Sequence, residues 1–141
     1  MSDRPLLPPP FASMRSPFDE MLGVELLSID PDDTRARVPM REQLAQPFGI
    51  MHGGVYSGLV EGLCSLATAV AVWEEGRICV GQSINVSFLR PVSDRHAEAR
   101  ARARHRGRTT WIWTADVLDA EERLCATATM TMAVRPRPDG G

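Results

Sequence analysis

A chain of 141 residues has room for one domain with one modest core, so a second catalytic domain is excluded. Hydrophobic residues make up 43% and charged residues 24%, an ordinary globular balance that excludes disorder and fibrous architecture. The formal net charge of -2, carried with sixteen arginines and no lysine, gives no overall field that would recruit nucleic acid or an anionic membrane.

Residues 1–16 contain Pro5, Pro8, Pro9 and Pro10, which remove backbone donors and favour extended chain, and they are expected to form a flexible tail. The domain is expected to occupy residues 17–135. Ser16-Pro17 offers a helix cap followed by proline at the first helical position, and Phe18, Met21 and Leu22 recur at helical spacing until Gly23, so a short leading helix is predicted. Val24–Ile29 and Thr34–Met40 are extended runs joined by the turn formers Asp30-Pro31-Asp32-Asp33, a hairpin pattern.

From Gly53 to about Trp73 runs the longest apolar-periodic segment, rich in Ala, Leu and Val, and this is the predicted central helix. Gly54, Gly58 and Gly62 fall at spacing four along it, a side-chain-free stripe expected to pack tightly against a strongly curved sheet. After Gly76 the period changes to that of a strand, Ile78–Leu89, ended by Pro91. Ala97, Ala99, Ala101 and Ala103 alternate with Glu98, Arg100, Arg102 and Arg104, giving one small buried face and one charged solvated face, with a turn at Gly107. Thr110–Leu118 carries Trp111 and Trp113 on one face. Leu124–Val134 sets Leu, Ala and Met against Cys and Thr, and residues 136–141 are expected to fray. Two strands, one long helix and four more strands imply an α+β domain, a long central helix wrapped by a curled antiparallel sheet.

Cys64, Cys79 and Cys125 are odd in number and contain no C-x-x-C pair, so reduced buried thiols are expected; no metal site and no cofactor is implied. The N-terminus lacks a secretory pattern and no apolar run is expected to reach the roughly 18 residues that span a bilayer, which points to a cytoplasmic protein without membrane contact.

The most informative stretch is Gln46-Pro47-Phe48-Gly49-Ile50-Met51-His52-Gly53-Gly54, followed by Glu61 and Ser65. It resembles the hot-dog thioesterases of the phenylacetate-degradation type, which share an Asn or Gln, a glycine three residues on, His-Gly-Gly, and an acidic residue eight after the first of those glycines. Gln with Glu looks most like the Arthrobacter-type 4-hydroxybenzoyl-CoA thioesterases. The resemblance covers about Phe18 to Val134, with weaker support from Asn85-Val86-Ser87-Phe88-Leu89-Arg90-Pro91 and Gly107-Arg108-Thr109. It implies hydrolysis of an acyl-CoA thioester, possible aromatic acyl groups included, by Glu61 as nucleophile or general base. The Gly53 amide would polarise the carbonyl, Gln46 would position the carbonyl or water, and Ser65 would stand near the water. His52 is expected to position the loop rather than to transfer protons. Arg90, Arg108 and Thr109 are the candidate contacts to coenzyme A, since guanidinium groups bind phosphate bidentately.

Physical chemistry points the same way. The first amides of a helix have no internal partner and lie at the positive end of its dipole, which suits an incipient oxyanion. Glu61, two turns into an apolar helix, is expected to be partly desolvated, as suits a general base. Eight residues at 1.5 Å rise separate Gly53 from Glu61 by about 12 Å, so one carbonyl cannot touch both in one chain. Two antiparallel helices from two copies solve this, and family members are dimers or tetramers with sites at the subunit interface. The arginine alternation over residues 100–108 lacks interleaved aromatics and reads as a solvated strand face, not a nucleic-acid surface. Ser57 lacks a G-x-S-x-G elbow, Cys64 as nucleophile is no better supported, and hot-dog dehydratases place His and acid differently. Two readings remain beside acyl-CoA hydrolysis: a non-catalytic acyl-CoA-binding module, which would not need Glu61, and a thioesterase acting on a carrier protein.

Overall fold

The computed structural model describes residues 6–139; residues 1–5 of the expected tail and 140–141 of the expected frayed end lie outside the described residues. Local chemistry sets the first elements. The Ser16 hydroxyl accepts from the Asp19 N–H at 3.4 Å and Pro17 opens helix α1 (Pro17–Leu22), which Gly23 closes in the left-handed conformation at φ +77°. Strands β1 (Glu25–Asp30) and β2 (Asp33–Pro39) form the expected hairpin, and the Asp30 carboxylate accepts from the Asp32 N–H at 2.8 Å inside its turn. The long helix α2 (Gly53–Trp73) follows, then β3 (Arg77–Phe88), β4 (His96–Arg106), β5 (Thr110–Asp119) and β6 (Leu124–Pro136).

All six strands join one antiparallel sheet in the order β1-β2-β4-β5-β6-β3, so β1 and β3 are its edges. Along β4 the four alanines 97, 99, 101 and 103 are buried, and these small side chains let the sheet close around α2. Trp113 and Val117 from β5 and Met130 and Met132 from β6 fill the space against Leu59, Val60, Leu63 and Cys64 of the helix. A polar contact crosses the joint: the Trp113 indole N–H donates to the Thr68 hydroxyl at 2.9 Å, and that hydroxyl donates to the Cys64 carbonyl at 2.7 Å. This is the hot-dog fold.

Three expectations change. The glycine stripe does not face the sheet: a Cβ at Gly58 would lie 2.9 Å from the Phe18 ring and one at Gly62 would lie 2.9 Å from the Asp19 carboxylate, so α1 lies along the stripe. At the start of β6 the alternation is reversed, Leu124 facing out and Cys125 in, because the pairing with β5 shifts between Val117 and Leu118; from Ala126 onward it runs as expected. Finally, α2 is long and apolar enough by length and composition to cross a bilayer, although 50% of its most apolar window is buried inside the protein, where a core helix belongs.

Ahead of α1 the proline-rich stretch makes a 3₁₀ turn at Phe11–Ser13 and sets the buried Phe11 edge-on against Trp73, ring centroids 5.4 Å apart. The Arg137 guanidinium stacks over the same indole at 4.1 Å, so both ends of the described chain meet at the last residue of α2.

Candidate functional site

The entrance of α2 is built by the loop before it. Gln46 starts a tight turn in which its side-chain oxygen accepts from the Phe48 N–H, its backbone N–H donates to the Ile50 carbonyl at 2.8 Å, and Gly49 takes φ +82°. His52 then caps the helix. Its Nδ1 accepts from the Gly54 N–H at 2.8 Å, and its carbonyl accepts from the Val55 N–H at 2.9 Å. Nδ1 is therefore the unprotonated ring nitrogen, and the cap holds the helix start fixed. Just ahead of these two satisfied amides, and after the His52 N–H that donates to the Leu44 carbonyl at 2.8 Å, stands Gly53, whose N–H finds no acceptor among the described residues. A free donor at the positive end of a 21-residue helix is an oxyanion site in form.

Gly53 opens onto a cavity of about 490 Å³ shared with Gln46, Tyr56, Phe88, Leu89 and Arg90. The Phe88 ring lies over Gly53, 2.8 Å from where a Cβ would stand, and is itself 57% exposed. Tyr56 escaped the sequence reading, although it stands one turn after Gly53. Its hydroxyl accepts from the Val92 N–H at 3.2 Å, tying the segment after β3 to α2, and burial pushes its ionisation upward, so it stays a neutral phenol.

Glu61 and Ser65 lie elsewhere. They line a second cleft of about 630 Å³ on the α1 side of α2. The Glu61 carboxylate rests against β3, 3.2 Å from where a Cβ on Gly81 would stand. On the single chain Glu61 is exposed, and the desolvation expected from its apolar helix is not present in one protomer. Ser65, one turn on, offers its carbonyl to the Cys79 thiol at 3.4 Å. One chain thus divides the expected constellation between two cavities, as the helical spacing demands.

The coenzyme contacts are divided as well. Arg90 borders the Gly53 cavity just after β3, whereas Arg108 and Thr109 occupy the β4–β5 turn at the other end of the sheet. Thr110 is level with Ala133 and Phe88 with Ala126 on the shared strand β6, so about seven residues, roughly 23 Å, part the two ends. Burial raises the Cys64 thiol to about 12 and the Cys79 thiol to about 11, which keeps both protonated and unreactive. Among the described residues no three His, Cys, Asp or Glu side chains cluster as metal ligands.

A family model described as the thioesterase superfamily matches residues 48–126. A putative esterase of Haemophilus influenzae is 37% identical over 80% of this chain and 81% of its own length. Among solved structures, a thioesterase of Pseudomonas aeruginosa carrying a Gln→Ala substitution is 32% identical, covers 89% of this chain and 91% of that one, and superposes with a TM-score of 0.83. A Staphylococcus aureus thioesterase, 25% identical over 86% of this chain and 100% of that one with a TM-score of 0.82, has been solved as a Gln→Ala and as a Glu→Ala variant. Its two substituted positions are fifteen residues apart, the spacing of Gln46 and Glu61.

Proposed function

The chain belongs to the thioesterase superfamily and is a thioester hydrolase, and from that premise we propose that it cleaves an acyl-CoA thioester to the free acid and CoA at a site shared by two copies of itself. The thioester carbonyl oxygen takes the Gly53 N–H of one copy while Glu61 of the second copy attacks the carbonyl carbon or deprotonates the attacking water. The tetrahedral intermediate collapses by breaking the carbon–sulfur bond, and the CoA thiolate leaves. If Glu61 attacks directly, water then opens the acyl–glutamyl anhydride.

The single observation that carries this reading is the unpartnered Gly53 N–H between two capped neighbours, about 12 Å along the same helix from Glu61. Hot-dog thioesterases bind CoA thioesters and oligomerise, and this protomer supplies a suitable joint. Strand β3 is a sheet edge with Val80, Ile84 and Phe88 exposed beside it, and both Gly53 and Glu61 contact its residues. Antiparallel pairing of two β3 edges reverses the ends of the sheet. It would bring Glu61 of one copy towards Gly53 of the other, and Arg108 and Thr109 of one towards Arg90 of the other, gathering cations for the coenzyme phosphates. His52 holds the helix entrance, Gln46 orients the carbonyl or the water, and Ser65 hydrogen-bonds near the water. The affinity to the phenylacetate-degradation and Arthrobacter types is part of the same proposal and rests on Gln46 with Glu61. A cytoplasmic setting agrees with three free cysteines, two of them buried.

The decisive test is Glu61→Ala assayed on acyl-CoA with a thiol reagent, alongside titration of acyl-CoA binding. Turnover is expected to fall by about a hundredfold or more while binding survives, the usual scale for removal of a general base. Unaltered turnover would assign the chemistry to other residues.

A further inference from the structure

The cleft beside Glu61 is larger than hydrolysis of a bare thioester requires. We propose that it is the acyl-binding site, that it takes an elongated, uncharged hydrocarbon chain, and that the segment ahead of α1 sets the length of chain accepted. The proposal rests on the reading of Glu61 as the group that acts on the thioester.

The volume of about 630 Å³ lies within the range of about 300–1,000 Å³ usual for small-molecule sites. Its floor is α2, from Gly58 past Glu61, Gly62 and Ser65 to Leu66 and Ala69. At Gly58 and Gly62 the bare helix is covered by Phe18 and Asp19, so α1 packs close and forms one side wall of the cleft. Its roof is the proline-rich segment, which contributes Leu7, Phe11 and Met14. The reacting end is fixed by Glu61, and the far end by Ala69, one turn before the Trp73 indole on which Phe11 is seated. Glu61 and Ala69 are eight residues apart along the helix, giving about 12 Å of wall along which an acyl chain can extend.

Charge selects the class. Arg15 and Glu20 border the cleft but pair with each other at 2.6 Å, and beyond them the walls are mainly apolar. Among the described residues, the unpaired charges facing the cleft are the carboxylates of Glu61 and Asp19, Asp19 lying over Gly62. Both stand at the reacting end, and towards Ala69 the walls are Leu7, Phe11 and Leu66, so a terminal carboxylate would be desolvated without a counter-charge whereas a hydrocarbon end would not.

The test measures kcat/KM of the full-length protein over a series of saturated acyl-CoAs from short to long, with aryl-CoA and ω-carboxyacyl-CoA as further arms. The variants are Ala69→Leu, which fills the far end, and Met14→Trp, which thickens the roof at a residue too exposed to unfold the core. Wild type is expected to gain with chain length up to a limit and to reject the ω-carboxylate. Each variant should lower that limit, losing about tenfold per surplus methylene while changing the shortest substrate by less than about twofold. A uniform change across the series, or none in either variant, overturns the proposal, as does preference for the aryl or ω-carboxylated substrate. Binding of non-hydrolysable acyl-CoA thioethers by calorimetry separates the two readings. Length-dependent affinity that Ala69→Leu truncates supports the cleft even if hydrolysis fails, and affinity indifferent to length refutes it even if hydrolysis is rapid.

Discussion

Gly53 occupies the first position of its helix, and that position permits a substitution that most donors do not. Proline is tolerated at the first helical residue because the N–H there has no intrahelical partner. The preceding His52 already has φ -61° and ψ 135°, the extended region that a following proline requires. Gly53→Pro is therefore expected to keep the helix, delete the donor and lower kcat by about 10²–10³-fold, the effect of removing one oxyanion donor. Gly53→Ala is its control: it retains the N–H and adds a Cβ whose nearest neighbours are atoms of the Phe88 ring, whose high exposure lets it swing aside. The alanine variant should keep most of its activity in the same kinetic assay, with folding of both checked by circular dichroism.

Between helix and sheet, the buried Trp113–Thr68 hydrogen bond ties α2 to β5. Thr68→Val preserves the shape and strands a buried indole N–H, so urea denaturation should show a loss of about 1–3 kcal/mol, the scale of a buried donor left unsatisfied. The elements themselves were largely legible in the sequence. Alternation is a direct record of a strand with one face in water, and the alanine and arginine faces of β4 follow it through every residue from Ala97 to Arg104. The helix start was readable because His-Gly-Gly combines a side-chain acceptor with residues that leave the amides open. What could not be read was which neighbour fills a given surface. The glycine stripe announced a close approach, yet a period in sequence carries no direction in space, and α1 lies there instead of the sheet. Tyr56 and the cleft roofed by Phe11 and Met14 were hidden for the same reason: they come from segments far apart in the chain or from a residue that periodicity counts as core.

At the scale of the whole molecule, dividing one reaction centre between two copies has a consequence that mixing can expose. In a two-fold dimer each site takes Gly53 from one copy and Glu61 from the other. A dimer of Glu61→Ala with Gly53→Pro then has one site with both defects and one with neither. Co-refolding equal amounts of the two inactive variants should make half of the dimers mixed and restore about a quarter of wild-type turnover, as two-fold symmetry dictates. Absence of recovery, with mixed dimers verified by mass spectrometry, would return the whole site to one chain. Trp73, held edge-on by Phe11 and face-on by Arg137, is the one indole set where the two chain ends converge, away from the inner pair Trp111 and Trp113. The molecule thus carries its own optical probe. Lifting of the leading segment exchanges an aromatic and cationic neighbourhood for water, and a red shift in the Trp73 emission, isolated in a Trp111→Phe, Trp113→Phe background, would time that motion against turnover.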